Sequence, residues 1–167
     1  MAQASKSIVI QVPPEKLFDV IVDYEKYPEF LPEVKKVKVE GGQGSIKEVT
    51  YMVDIKAKVI TYTLKHTAER PTKLSWTMVK GEMMKGNDGA WTLKPGAQPG
   101  TTEATYAIDL KLSSLVPGFI EKALAEQSLP GLLANFKARA EKLHGHARTV
   151  ASHAAEFETK AAGASFE

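Results

Sequence analysis

One long region of this chain alternates between apolar and polar residues, and a helical pattern follows it. From Glu33 to Leu112 the apolar spacing is two, which predicts strands with one buried and one exposed face. Turn signals divide this region into about six antiparallel strands. The signals are Gly41-Gly42, Arg70-Pro71, Lys80-Gly81 and the segment 95–100. After Ser114 the spacing becomes helical, so the order predicts an α+β fold whose curved sheet holds a C-terminal helix.

The N-terminal segment predicts a seventh strand and two short helices. Alternation over residues 5–12 indicates a strand that Pro13-Pro14 ends. The second of these prolines suits the first turn of a helix running to about residue 23, because its missing N–H needs no partner there. Pro28 and Pro32 restrict the residues before them, so only one short turn or helix fits over 28–31. This connector is unusually apolar, and we expect it to seal one end of the core.

Two positions interrupt the regular patterns. The apolar pair Val59-Ile60 shifts the alternation, as either a bulge or a change of direction between strands would do. Pro130-Gly131 interrupts the C-terminal helical region, since proline cannot donate to the helical ladder. We therefore expect one helix over 117–128 and the main one over 131–144. The folded domain then covers residues 1–145, and an Ala-rich tail over 146–167 extends the helix weakly or frays.

Composition argues against several functional classes. The chain has 22 basic and 20 acidic residues, a balance that does not favour binding to DNA through bulk charge. It has no cysteine, which excludes disulfides, thiolate nucleophiles and Cys-ligated metals. The N-terminus lacks an apolar signal core, and no window approaches the roughly 18 apolar residues of a membrane span. We expect a soluble, cytoplasmic protein.

No motif for catalysis, metal binding or a cofactor is evident. The histidines, His66, His144, His146 and His153, lack metal-ligand spacing, and no Gly-x-Ser-x-Gly elbow occurs. The segment 86–89, Gly-Asn-Asp-Gly, resembles a phosphate loop, but a strand pattern follows it, so a turn or bulge is expected. We therefore predict no catalytic residue, metal or cofactor. His66 ends an inward-facing row and could act as a base, although a structural role is favoured.

The inner face of the sheet is rich in aromatic residues, which can form either a packed core or a ligand cavity. Buried tyrosine and tryptophan need hydrogen-bond partners that a ligand can supply. Four segments then resemble one known family. They are 22–32, 74–76, 89–95 and 135–141, of which the first, with Tyr-x-x-Tyr-Pro-x-Phe-x-Pro, is the most specific.

These segments are similar to the coenzyme Q-binding and polyketide cyclase/dehydrase-like branch of the START (SRPBCC, birch-pollen-allergen-like) superfamily. The resemblance implies a helix-grip fold with an elongated hydrophobic cavity between the sheet and the C-terminal helix. Relatives bind isoprenoid quinones, other lipids or polyketides, and some associate with ribosomes. Such a fold has a curved seven-stranded antiparallel sheet wrapped around the C-terminal helix, with two short helices between the first two strands.

We therefore expect a non-catalytic protein that binds or transports a hydrophobic small molecule, such as a lipid, an isoprenoid quinone or a polyketide. The residues expected to bind it are Tyr51, Tyr62, Trp76, Met78, Trp91, Tyr106, Phe119, Leu133 and Phe136. The Tyr51 hydroxyl could meet a carbonyl or quinone oxygen. One alternative is a polyketide aromatase/cyclase in which His66 or a tyrosine moves protons. Another is a ribosome- or membrane-associating module with a basic face made by Lys35, Lys36, Lys38 and Lys47.

Overall fold

A computed structural model describes residues 2–56 and 58–145, and the tail predicted over 146–167 lies outside the described residues. Seven antiparallel strands form one sheet in the order β1-β7-β6-β5-β4-β3-β2. The strands are β1 (Ala2–Ile10), β2 (Val34–Gln43), β3 (Ile46–Asp54), β4 (Val59–Glu69), β5 (Lys73–Gly81), β6 (Met84–Pro95) and β7 (Thr102–Leu112). The helices are α1 (Pro14–Ile21), a 3₁₀ helix (Tyr24–Glu29), α2 (Gly118–Lys122) and α3 (Leu129–His144). The predicted α+β helix-grip architecture is confirmed.

The two short helices are present, although the second was predicted in the wrong place. It is the 3₁₀ helix Tyr24–Glu29, which contains Pro28, and not a turn over 28–31. One turn is closed by the Lys26 N–H donating to the Asp23 carbonyl, and the next by the Phe30 N–H donating to the Tyr27 carbonyl. Neither hydrogen bond needs an N–H from the proline, so the helix continues through it.

The first strand also differs from its predicted bounds. It begins at Ala2 and ends at Ile10, because it pairs with β7 continuously from Ala2 opposite Leu110 to Ile10 opposite Thr102. Pairing with β7, which is distant in the chain, therefore extends β1 toward the N-terminus, beyond the segment in which the alternation was visible.

The shift at Val59-Ile60 is a change of direction between strands. The Ile55 N–H donates to the Lys58 carbonyl at 3.0 Å across a tight turn, and Lys56 takes a φ of 75°. Such positive φ values suit two-residue hairpin turns. The turn predicted at Gly41-Gly42 was wrong, because both glycines lie inside β2, where the register shifts between Val39 and Gly41. Glycine here accompanies a bulge rather than a turn.

The C-terminal helical region is interrupted two residues earlier than predicted. A π-helical turn spans Ala123–Gln127, and the Ser128 N–H donates to the Ala123 carbonyl at 3.0 Å. Helix α3 then begins at Leu129, so Pro130 lies in its first turn, where a missing N–H costs nothing. The proline therefore lies in the first turn of α3 and does not break a helix.

A glycine in β6 allows the Trp76 indole to pack closely against the backbone of that strand. A Cβ on Gly89 would lie 2.5 Å from the Ala107 carbonyl oxygen and 2.5 Å from Trp76 Cζ2. The first atom belongs to the backbone of β7, and the indole is held because its Nε1–H donates to Asn87 Oδ1 at 3.0 Å. Neither neighbour can retreat freely, so this position requires glycine.

We expect Gly89→Ala to lower the free energy of unfolding by about 1–3 kcal/mol, the usual cost of overpacking. Urea denaturation followed by tryptophan fluorescence measures this change. Gly86→Ala in the same strand is the matched control, because its Cβ would meet only Lys111 Cβ at 3.8 Å. The control should change stability by less than about 0.5 kcal/mol. Equal effects of the two substitutions would contradict the argument.

Candidate ligand cavity

A cavity of about 370 Å³ lies between the concave face of the sheet and the C-terminal helices. One wall is formed by inward-facing side chains of the strands from β3 to β7, and the opposite wall by the π-helical turn and α3. This volume is within the range of pockets that enclose small organic molecules. The inner face is thus only partly filled by its own side chains.

Most of the residues predicted to bind a ligand lie in the cavity wall. Those that line it are Tyr51, Tyr62, Trp76, Trp91, Tyr106 and Phe136. Leu133 is fully buried in the core but is not part of the wall. Met78 is half-buried and packs against the core, also outside the wall. Phe119 is 75% exposed, because α2 turns the neighbouring Ile120 toward the protein instead.

Several cavity residues were not singled out by the sequence. Tyr27 and Leu31, from the connector expected to seal the core, belong to the wall. Asn87 also lines it, and its signal was available, because the alternation of β6 places it on the same face as Trp91. The segment 86–89, where a turn or bulge was expected, pairs regularly with β7, and the register shift lies just before it, between Met84 and Gly86.

The mouth of the cavity is marked by residues that line it and are also exposed to solvent. These are Pro32, Lys56, Ser128 and Gly131. They place the opening between the start of β2, the β3–β4 turn and the first turn of α3. The charged side chains Glu33 and Asp54 also line the cavity. The interior is therefore mainly apolar, and its charges belong to segments near the opening.

Tyr51 and His66 form a hydrogen-bonded pair in the wall. The Tyr51 hydroxyl lies 2.7 Å from His66 Nε2, and the imidazole stacks on Tyr24 with ring centroids 4.6 Å apart. Burial lowers the pKa of His66 from 6.5 to about 4, so the ring is neutral at pH 7. A phenol is the stronger donor, so we assign the proton to Tyr51 and the acceptor role to Nε2. The Tyr51 hydroxyl, which the sequence suggested as a donor to a ligand oxygen, is already hydrogen-bonded to His66.

Among the residues that the structure describes, no group of three or more His, Asp or Glu side chains is placed to hold a metal ion. His146 and His153 lie outside the described range. Within that range, no helix combines the length and the apolar character that crossing a membrane requires.

The sheet, the enclosed helix and the cavity between them define a helix-grip protein. Residues 1–143 match the family model described as "Polyketide cyclase / dehydrase and lipid transport". The chain belongs to this family.

Solved structures with the same fold include a START superfamily protein from Mycobacterium smegmatis. It is 20% identical, with a TM-score of 0.74 over 86% of this chain and 99% of that one. A protein from Thermus thermophilus is 16% identical, with a TM-score of 0.74 over 84% and 98% of the two chains. The Zhui aromatase/cyclase from Streptomyces sp. R1128 is 13% identical, with a TM-score of 0.68 over 84% and 93%. The polyketide cyclase/dehydrase family expected from the sequence is confirmed by the family model, and these structures share the fold. The coenzyme Q-binding branch stays a prediction.

Proposed function

We propose that this protein binds a hydrophobic small molecule in the cavity and carries it shielded from water. The observation that supports this proposal is a largely apolar cavity of about 370 Å³ that opens between the β3–β4 turn and α3. Enclosing about 300 Å² of apolar ligand surface at ~25 cal/mol per Å² yields roughly 7 kcal/mol before association costs. Burial alone can therefore provide useful affinity. The contact residues proposed are the aromatic wall residues, above all Trp76, Trp91 and Phe136.

An aromatase/cyclase activity is the second candidate, and the position of His66 favours it. This side chain is 4% exposed and lines the cavity, as a base acting on a bound substrate must. Two observations favour the carrier instead. Burial lowers the pKa of His66 to about 4, which makes it a weak base at neutral pH, and its Nε2 is occupied by Tyr51.

The basic-face alternative has weaker support. Lys35, Lys36 and Lys38 are exposed on β2, as lysines on an edge strand commonly are. Lys47 is the cross-strand partner of His66 and lies on the face of β3 that carries Tyr51. The four lysines therefore do not share one face, and we propose no ribosomal or membrane partner from them.

Native mass spectrometry of the purified protein, together with binding of the fluorescent apolar probe 8-anilinonaphthalene-1-sulfonate, tests the carrier. We expect a bound apolar molecule or saturable binding of one probe per chain. Ile108→Trp fills the cavity, because Ile108 lines it and is half-exposed there, and should abolish binding while the circular dichroism spectrum is kept. Val79→Trp, at a position 46% exposed and outside the cavity, is the control and should bind as wild type does.

The carrier is refuted if no apolar molecule binds wild type, or if both tryptophan variants bind equally well. Turnover of a linear polyketone that disappears in His66→Gln would instead favour the cyclase.

A further inference from the structure

Two tyrosine hydroxyls in the cavity have no hydrogen-bond partner within residues 2–56 and 58–145. Tyr62 on β4 and Tyr106 on β7 both line the cavity and are half-exposed, although they lie on the concave face of the sheet. Among the described residues, neither hydroxyl forms a hydrogen bond, and neither is a sealed, unsatisfied atom. Their accessible surface is therefore cavity surface. Most buried polar groups have a partner, so two free hydroxyls in one cavity call for an explanation.

Several neighbouring polar side chains in this wall have partners within the protein, although His66 Nδ1 is buried without one among the described residues. The Tyr27 hydroxyl donates to the Ile21 carbonyl, and the Trp76 indole N–H donates to Asn87. Tyr51 is paired with His66. The fold therefore supplies partners to Tyr27, Trp76 and Tyr51, and it leaves the accessible hydroxyls of Tyr62 and Tyr106 available to a ligand.

The electrostatic surroundings keep both hydroxyls in their donor form. Burial and the nearby Glu33 carboxylate raise the pKa of Tyr62, and burial, Tyr62 and Glu33 raise the pKa of Tyr106. Both phenols are thus protonated at neutral pH. Glu33, Tyr62 and Tyr106 all line this one cavity. A carboxylate entering it would be repelled by Glu33.

We propose that the cavity selects a neutral apolar molecule carrying a carbonyl oxygen, which accepts a hydrogen bond from the Tyr62 or the Tyr106 hydroxyl, and that Glu33 disfavours carboxylates. This inference rests on the proposed carrier function and specifies its ligand class. A carbonyl oxygen accepts hydrogen bonds through two lone pairs and has no hydrogen of its own to donate, so it matches phenol donors. A hydrocarbon of the same shape would leave both donors without a partner.

The test uses two probes of nearly identical shape, 2-acetylnaphthalene and 2-isopropenylnaphthalene, which differ by an oxygen in place of a CH₂ group. Affinities are measured by isothermal titration calorimetry with wild type and with the double variant Tyr62→Phe/Tyr106→Phe. The decisive quantity is the ratio of the two probes' affinities, compared between wild type and the double variant. Each probe loses the same hydration on leaving water for either protein, so this contribution cancels in the comparison. We expect the variant to lose about tenfold in affinity for the ketone alone, the usual effect of one or two hydrogen bonds.

Tyr24→Phe is the matched control, since Tyr24 does not line the cavity, and should leave the ratio unchanged. The anion 2-naphthoate should bind wild type more weakly than the ketone, and Glu33→Gln should narrow that difference. An unchanged probe ratio in the double variant would overturn the ligand class while the carrier function stands. Failure of both neutral probes to bind wild type would overturn the carrier function and this inference with it.

Discussion

Phe136→Ala should lower the free energy of unfolding by about 3–5 kcal/mol, the range for a large aromatic residue truncated in a core. The ring is 2% exposed and joins α3 to the rest of the fold. It makes edge-to-face contacts with Phe30 at 5.1 Å, Trp91 at 5.1 Å and Tyr27 at 5.4 Å between centroids. Since it also borders the cavity, truncation enlarges a space that its neighbours do not fill. The loss should therefore lie near the upper end.

Urea denaturation at equilibrium measures this loss, and Phe119→Ala is the matched control. The control removes the same ring from a helical position that is 75% exposed, so its effect should stay within about 0.5 kcal/mol. Comparable losses in the two variants would mean that Phe136 does not join α3 to the sheet as described.

The second large effect is a dependence of stability on pH that originates at His66. Its pKa is lowered by burial from 6.5 to about 4, so the folded protein binds fewer protons here than the unfolded chain between these values. Stability therefore rises with pH across this window and becomes level above about pH 6.5. As the pH falls toward 4, this histidine alone should remove about 2–3 kcal/mol from the free energy of unfolding.

The contribution of His66 is isolated by comparing wild type with His66→Gln at pH 7 and at about pH 4.5. Carboxylates titrate in both proteins, so the difference between their two pH dependences belongs to the histidine. Glutamine keeps a side-chain hydrogen-bonding group near Tyr51 and does not titrate. The variant should lose less stability on acidification than wild type. Parallel curves would show that the imidazole is not held neutral by its surroundings.

Residues on strands were predictable because the period of two assigns each side chain to a face. Tyr62 and Tyr106 were both placed on the inner face from their parity alone, and both lie there. The corresponding reasoning from helical spacing failed at Phe119, because a short helix offers too few residues to show which side faces the protein. It also failed at Pro130, because proline is compatible with both the end and the first turn of a helix.

Pairings between distant residues could not be predicted from local patterns. Tyr51 meets His66 because the turn between β3 and β4 sets their register, and a shift of one residue would turn every side chain to the other face. The sequence therefore offered Tyr51 as a ligand contact, whereas the structure engages its hydroxyl with the histidine. Glu33 was missed for the same reason, since it lies just before β2 and reaches the cavity wall only through the tertiary packing of that segment.

The sequence by itself determined the kind of fold and the inward face of each strand, because these depend on local period and turn chemistry, and four of its segments carried the resemblance to the family. Only the tertiary structure decided that the space between the sheet and α3 is open by about 370 Å³. The curvature of the sheet and the position of α3 set the size of this cavity, and both arise from contacts between residues far apart in the chain. The same contacts satisfy the Tyr51 hydroxyl and leave those of Tyr62 and Tyr106 without a hydrogen-bond partner in the part of the chain that the structure describes.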